Sequence, residues 1–137
     1  MLSKTAEYAL RAIVYLSERH DDPCTTRQVS EATKVPAGYL SKVLQSLSRS
    51  KIVLSQRGLN GGFTLARPPE AITVLEVVNA VDPVERIHAC PLGLKAHERQ
   101  LCPLHRRLDD VAAQIEASFR ETVIADLLTQ PIMLGVE

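Results

Sequence analysis

Residues 25–66 read TTRQVSEATKVPAGYLSKVLQSLSRSKIVLSQRGLNGGFTLA, and the fold turns on how this run divides. Thr25 and Gln28 have the Thr-x-x-Gln spacing of a capping box, in which two side chains satisfy two backbone amides at a helix start. A helix therefore opens at Thr25, with Val29 and Ala32 expected inward. Lys34-Val35-Pro36 interrupts it, because the residue before a proline avoids helical geometry while proline itself suits a first helical turn. A second helix begins there. Leu40, Val43, Leu44 and Leu47 recur at i, i+3, i+4 and i+7 and form its buried stripe, leaving Tyr39, Ser41, Lys42, Gln45 and Arg49 outward. Ile52-Val53-Leu54 suits a short strand and Phe63-Thr64-Leu65-Ala66 a returning one. Between them, Arg57-Gly58-Leu59-Asn60-Gly61-Gly62 supplies the glycines of a hairpin turn.

Short helix pairs and Asn-Gly turns are common in any α+β core, so no single signal decides. Their order and compactness do: helix, tight turn, helix and glycine-rich hairpin are the layout of a winged helix-turn-helix, a DNA-binding architecture. The second helix is the candidate recognition helix and the hairpin the candidate wing. The expected fold class is mainly α with a small β-hairpin wing, extended by a long C-terminal dimerisation helix.

Charge supports a nucleic-acid partner although the chain of 137 residues is formally neutral. Residues 1–67 hold ten Lys or Arg against five Asp or Glu, a net +5, and residues 68–137 hold six against eleven, a net −5. Within 27–67 the bases Arg27, Lys34, Lys42, Arg49, Lys51, Arg57 and Arg67 face Glu31 alone. Phosphate attraction needs a local basic surface, not a basic protein. The expected partner is double-stranded DNA.

No stretch approaches the roughly twenty apolar residues needed to span a bilayer, and Met1-Leu2-Ser3-Lys4 leads straight into an amphipathic helix. The expectation is a cytoplasmic protein without a membrane partner. In a reducing compartment three cysteines are read as packing, metal ligation or redox chemistry instead of as a disulfide framework. Cys24 precedes a helix start, where the positive helix end can lower a thiol's pKa; the plainer reading is a packing residue.

Around the decisive stretch, Ala6, Ala9, Leu10, Ile13 and Leu16 give a first helix one apolar face, ended near His20-Asp21-Asp22-Pro23. Thr73-Val74-Leu75-Glu76 is a second capping-box start, for a helix carrying Val74, Val77, Val78 and Val81 and closed by Asp82-Pro83. Residues 84–102 lack periodicity and read as an exposed loop, long enough to suggest function. From Pro103, Leu104, Leu108, Val111, Ile115, Phe119, Val123 and Leu127 step by three or four. A helix of that length is expected to bury its stripe on a second subunit, giving a homodimer suited to two-fold DNA sites. The domain reading is 1–83, winged helix-turn-helix; 84–103, cysteine-containing sensor loop; 104–130, dimerisation helix; 131–137, a tail without fixed structure.

The chain resembles the Rrf-two family of bacterial transcriptional regulators over residues 1–128. The likeness is carried by Lys4-Thr5-Ala6-Glu7-Tyr8-Ala9-Leu10, by Tyr39-Leu40, by Arg57-Gly58-Leu59-Asn60-Gly61-Gly62-Phe63 and by Ile72-Thr73-Val74-Leu75-Glu76-Val77-Val78. The resemblance implies a homodimer with a recognition helix in the major groove and a wing at the adjacent minor groove. Its DNA-binding residues would come from Arg27, Tyr39, Ser41, Lys42, Arg49, Arg57, Gly58, Asn60 and Gly61, with Arg57 matching the wing arginine of the family.

Many members of that family hold an iron-sulfur cluster on three cysteines of the loop before the long helix, plus a further ligand. Cys90 and Cys102 match the outer two cysteines. The middle one is absent, its place lying near Ala96. His97 stands beside the vacancy, His105 follows Cys102 by three residues as a ligand histidine does in some members, and Glu7 matches a first-helix carboxylate that reaches the cluster from the other subunit. The resemblance thus implies a 2Fe-2S cluster held by Cys90 and Cys102 with His105, His97 or Glu7, since imidazole can replace thiolate at one iron. Mononuclear zinc fits less well, because eleven residues separate Cys90 from Cys102 where structural sites favour a short Cys-x2-4-Cys knuckle.

Three readings follow. The first is a dimeric transcriptional regulator, a repressor, whose loop senses an iron-sulfur, redox or nitrosative signal. The second is a cluster-free regulator of the same fold, controlled by thiol oxidation or by a protein or small-molecule ligand. The third makes the Cys and His residues a thiol or metal active site, but no nucleophile-base-orienter set or phosphate-binding glycine loop accompanies them. The expectation is a regulator that is not an enzyme.

Overall fold

The structure is a computed structural model and describes residues 2–19, 21–86, 92 and 102–128. Cys90, His97 and the tail 131–137 lie outside the described residues. Helix α1, Lys4–Glu18, begins at Ser3, whose hydroxyl accepts from the Ala6 amide at 3.1 Å. It buries Ala6, Ala9, Ala12, Ile13 and Leu16 against the helices that follow. Three alanines on that face let neighbouring backbones approach closely.

Helix α2 spans Thr26–Thr33 behind the reciprocal Thr25–Gln28 capping box. Val29 is buried but Ala32, expected inward, is exposed, because an eight-residue helix turns only one narrow stripe to the core. Lys34 closes α2 in the left-handed conformation at φ 63°, and Val35 is buried with its carbonyl accepting from the Ser30 hydroxyl at 2.6 Å. Helix α3, Ala37–Arg49, then buries Leu40, Val43, Leu44 and Leu47, and Lys51 at φ 61° turns the chain out of it.

The hairpin pairs β1, Val53–Gln56, with β2, Gly62–Leu65, antiparallel from Val53 opposite Leu65 to Gln56 opposite Gly62. A third segment joins it: Cys24 and Phe63 exchange backbone hydrogen bonds at 3.0 and 2.8 Å. Gly62 has φ +146°, and a Cβ there would sit 2.6 Å from the Cys24 carbonyl carbon, so this close approach requires glycine.

Helix α4, Val74–Val81, carries the expected capping box from Thr73 and Glu76 and packs on α1. The long helix is shorter than its apolar repeat suggests. Helix α5 covers Pro103–Glu121, Thr122 and Val123 are extended, and a short helix α6 covers Ile124–Leu127. The break has a physical cause in the amides left without partners at the start of α4. The Thr122 carbonyl accepts from the Val74 amide at 2.8 Å, and the Ile124 amide donates to the Ile72 carbonyl at 2.8 Å. Continued helix would forfeit both bonds and the complete burial of Ile124.

The stripe on α5 also divides. His105, Ala112 and Phe119, seven residues apart, face the chain's own domain, and Phe119 packs on its core. Leu104, Leu108 and Val111 remain 47, 43 and 51% exposed. Ile115 lies at the border, half-buried.

Candidate nucleic-acid interface

Burial of Leu40, Val43, Leu44 and Leu47 fixes which face of α3 looks outward. Tyr39, Ser41, Lys42, Gln45 and Arg49 all lie on it, exposed. Beyond α3 the hairpin projects, with Arg57, Gly58 and Asn60 exposed and Leu59 at its tip in full contact with solvent. Gly58, at φ +112°, and Gly61 shape the turn, whose tightness shows at Gly61: a Cβ there would meet the Gln56 oxygen at 2.5 Å. The two elements are joined rigidly through Ile52, which is buried and bonded to the Leu47 and Ala66 backbones.

The seven bases of this region do not play one part. Arg67 turns away, donating to the Ala71 carbonyl at 2.8 Å and to the Glu76 carboxylate at 2.9 Å. Burial works to raise the Glu76 carboxyl, but the Thr73 amide and hydroxyl and the Arg67 guanidinium together hold it below its ordinary value. Arg27 makes an exposed i,i+4 pair with Glu31 at 3.1 Å, an interaction too weak to keep it from an incoming phosphate. Lys34, Lys42, Arg49, Lys51 and Arg57 are exposed and make no ion pair among the described residues. Exposed cations without acidic partners are the groups that phosphate neutralisation needs.

Two residues of the first-helix motif to which the sequence reading gave no DNA-binding role hold Tyr39. The Thr5 Oγ1 lies 2.6 Å from the Tyr39 hydroxyl, and the Tyr8 ring meets the Tyr39 ring edge to face, with centroids 5.2 Å apart and planes at 84°. Thr5 and Tyr8 sit three apart on α1, outside its buried stripe, which is a weak hint that they touch something else. Nothing local says that the something lies 34 residues on.

At the other end of the chain, Cys102 and His105 occupy the cap and first turn of α5, three residues apart, and both are buried. Glu7 lies elsewhere, in an i,i+3 pair with Lys4 at 3.4 Å, on a groove of about 570 Å³ lined by Leu2, Leu10, Val14 and Tyr15. Among the described residues no group of three His, Cys, Asp or Glu side chains that could hold a metal ion forms. Arg86, the third residue of the loop and the last of the described stretch 21–86, grips Asp109 of α5 with two bonds of 2.7 Å, and that carboxylate holds the guanidinium above its ordinary pKa. Cys24 is a packing residue. Burial pushes its thiol up, outweighing Arg19, and its Sγ donates to the Asp22 carbonyl at 3.5 Å, so the helix end does not activate it.

Residues 2–130 match the model of the Rrf2 family, described as an iron-dependent transcriptional regulator. The chain belongs to that family. A relative from Aquifex aeolicus (strain VF5), described as an HTH-type transcriptional regulator, is 29% identical over 131 residues, covering 93% of this chain and 91% of its own. Among solved structures, T. potens IscR superposes with a TM-score of 0.76 at 21% identity, covering 93% of this chain and 85% of its own. CymR, the global cysteine regulator of B. subtilis, gives 0.73 at 19% identity, covering 93% and 95%. At such identities these two likenesses establish the fold. With the family, they make the chain a transcriptional regulator with a DNA-binding fold and not an enzyme. Among the described residues no helix is long and apolar enough to cross a membrane.

Proposed function

We propose that this Rrf2 regulator is a homodimeric, sequence-specific repressor that sets α3 in the major groove and its wing at the neighbouring minor groove. The observation that carries the reading is the outward face of α3, where Tyr39, Ser41, Lys42, Gln45 and Arg49 are all exposed, followed by an arginine-bearing hairpin. Tyr39, Ser41 and Lys42 would reach base edges or phosphates, Arg49 and Arg27 the flanking backbone, and Arg57 a narrow, negative minor groove. Gly58, Asn60 and Gly61 keep the wing tip slim enough to approach DNA. The exposed Leu104, Leu108 and Val111 support a second copy as the partner of α5, since a regulator reading two half-sites needs two heads at fixed spacing.

The sensor in this proposal is the loop 84–103. A cysteine at the cap of α5 and a histidine three residues on, both buried, are a chemically sound half of a 2Fe-2S ligand set, with Cys90 the second sulfur ligand and His97 or the partner subunit's Glu7 completing it. The family's description as iron-dependent supports iron as the signal carrier. Because Arg86 and Asp109 tie the loop's start to α5, a ligand that orders the loop in one arrangement favours one setting of α5 and so one spacing of the two recognition helices.

The test is an electrophoretic shift with the duplex upstream of the chain's own coding sequence, run beside the visible spectrum and the iron and sulfide content of protein purified without oxygen. Retarded duplex and a charge-transfer band are expected. Binding without a band, even after reconstitution with iron and sulfide, would make this a cluster-free regulator controlled by thiol oxidation or another ligand. No shift of any duplex would overturn the DNA-binding reading.

A further inference from the structure

The Thr5–Tyr39 contact joins the first helix to the recognition helix at the surface, and nothing in the fold requires it. Tyr39 is 43% exposed and Thr5 half-buried, so this pair contributes little to the core. What it does is remove the freedom of a side chain at the head of α3. The hydroxyls lie 2.6 Å apart, Tyr8 abuts the Tyr39 ring at 84°, and the Arg11 guanidinium stands 5.6 Å from the Tyr8 ring centroid, steadying Tyr8 in turn. Beside them opens a cleft of about 380 Å³, lined by Thr5, Gly38, Tyr39, Lys42 and Ser46.

We propose that Thr5 is a positioning residue for DNA binding, acting through Tyr39; the inference rests on the DNA-binding reading above. A phenol has one proton to donate, and a phosphate oxygen can only accept. When Tyr39 meets a backbone phosphate, its O–H donates to the phosphate oxygen, so the Thr5 hydroxyl must be the donor in the 2.6 Å contact. The two bonds then run in one direction, Thr5 to Tyr39 to phosphate, and each polarises the other. Thr5 also holds the phenol in place before DNA arrives, sparing the rotamer entropy that binding would otherwise cost. A helix outside the helix-turn-helix thereby sets the aim of the recognition helix. Because the contact is with phosphate and Tyr39 itself carries no charge, it strengthens binding to all sequences alike and displaces no counterion.

The experiment uses the full chain, a labelled duplex from its own upstream region and a scrambled duplex of equal length. Thr5→Val keeps the shape and loses the hydroxyl. It should weaken binding to both duplexes by roughly three- to tenfold, with the slope of affinity against salt unchanged. Thr5→Ser should restore most of the loss, and thermal unfolding should show all variants folded. In a Tyr39→Phe background, Thr5→Val should have no further effect. Wild-type affinity in Thr5→Val, failure of serine to rescue, or multiplied losses in the double variant would each overturn the proposal, the last by showing that Thr5 meets DNA on its own. A wild-type chain that binds neither duplex would overturn the DNA-binding reading, and this inference with it.

Discussion

Helices α1 and α5 make opposite use of their length. The first has 15 residues and buries six of them, all but Ser17 apolar; the second has 19 and buries only His105. Charge divides the same way, with +5 before residue 68 and −5 after it. Helix α1 is closed by its own chain, since α2, α3 and α4 all pack on it. Helix α5 meets the domain along one edge, through α4, and keeps a second apolar edge in solvent. A fold can therefore be complete in one half and half-finished in the other, and the unfinished edge is where a second copy has most to gain. In the DNA-bound arrangement proposed above, the basic half would be drawn to nucleic acid and the acidic half repelled, which would orient the molecule before any specific contact formed.

The hardest way to break this contrast is to attack the closed half. Leu44→Ala, at a fully buried position, should cost about 2 to 5 kcal/mol in denaturant unfolding. A loss below about 0.5 kcal/mol would mean that α3 is not seated on a tight core. On the open half, Leu108→Asp with Val111→Asp should leave the circular dichroism spectrum nearly unchanged. It should turn a dimer into a monomer by sedimentation and weaken operator binding by roughly a hundredfold, because the second half-site is no longer delivered by the first. A double variant that sediments as a dimer would move the interface away from this edge.

A smaller effect is expected at the wing. Arg57→Ala should weaken binding by about 1 to 3 kcal/mol, most at sites flanked by narrow A·T-rich minor groove. Equal affinities in a titration would place the wing off the DNA. The smallest effect sharpens the boundary between the halves. The Glu76 carboxyl is held below its ordinary value, so its contribution to stability is full near neutral pH and is lost as pH falls through that depressed value. From about pH 7 to about pH 3, wild type should lose more thermal stability than Glu76→Gln, which has no such proton to take up. Parallel curves would show that the Arg67–Glu76 clasp does not stabilise the fold.

What the sequence made legible was whatever local chemistry decides. Both capping boxes, at Thr25 and Thr73, and the α3 stripe are properties of a few neighbouring residues and stand where periodicity put them. The hairpin strands depart from the expected bounds by a residue or two, β1 running on to Gln56 and β2 starting at Gly62, and the bridge from Cys24 to Phe63 had no local signal. The end of α5 was illegible for the same kind of reason: Val123 and Leu127 continue an apolar repeat, but the carbonyl of Thr122 has a partner 48 residues earlier. One stripe proved to be two neighbouring edges, since steps of three and four drift around a helix and, at about 100° per residue, Phe119 falls about 60° from Leu104 and about 80° from Val111. At the candidate interface the outward set on α3 was readable from its complement, the buried set. The hold on Tyr39 was not, because the partners of an exposed side chain leave no periodic trace.

The return of the chain to Ile72 has a consequence for synthesis. Ile124 is wholly buried and its amide is bonded to the Ile72 carbonyl, so the DNA-binding head borrows its final core residue from beyond the long helix. On the ribosome the head emerges first, yet it cannot seal until about fifty more residues have followed, at about 5 to 20 residues per second. For those seconds the cavity awaiting Ile124 stays open. The same closing step that completes the fold also fastens the far end of the long helix, through the bonds that tie Thr122 and Ile124 to Val74 and Ile72.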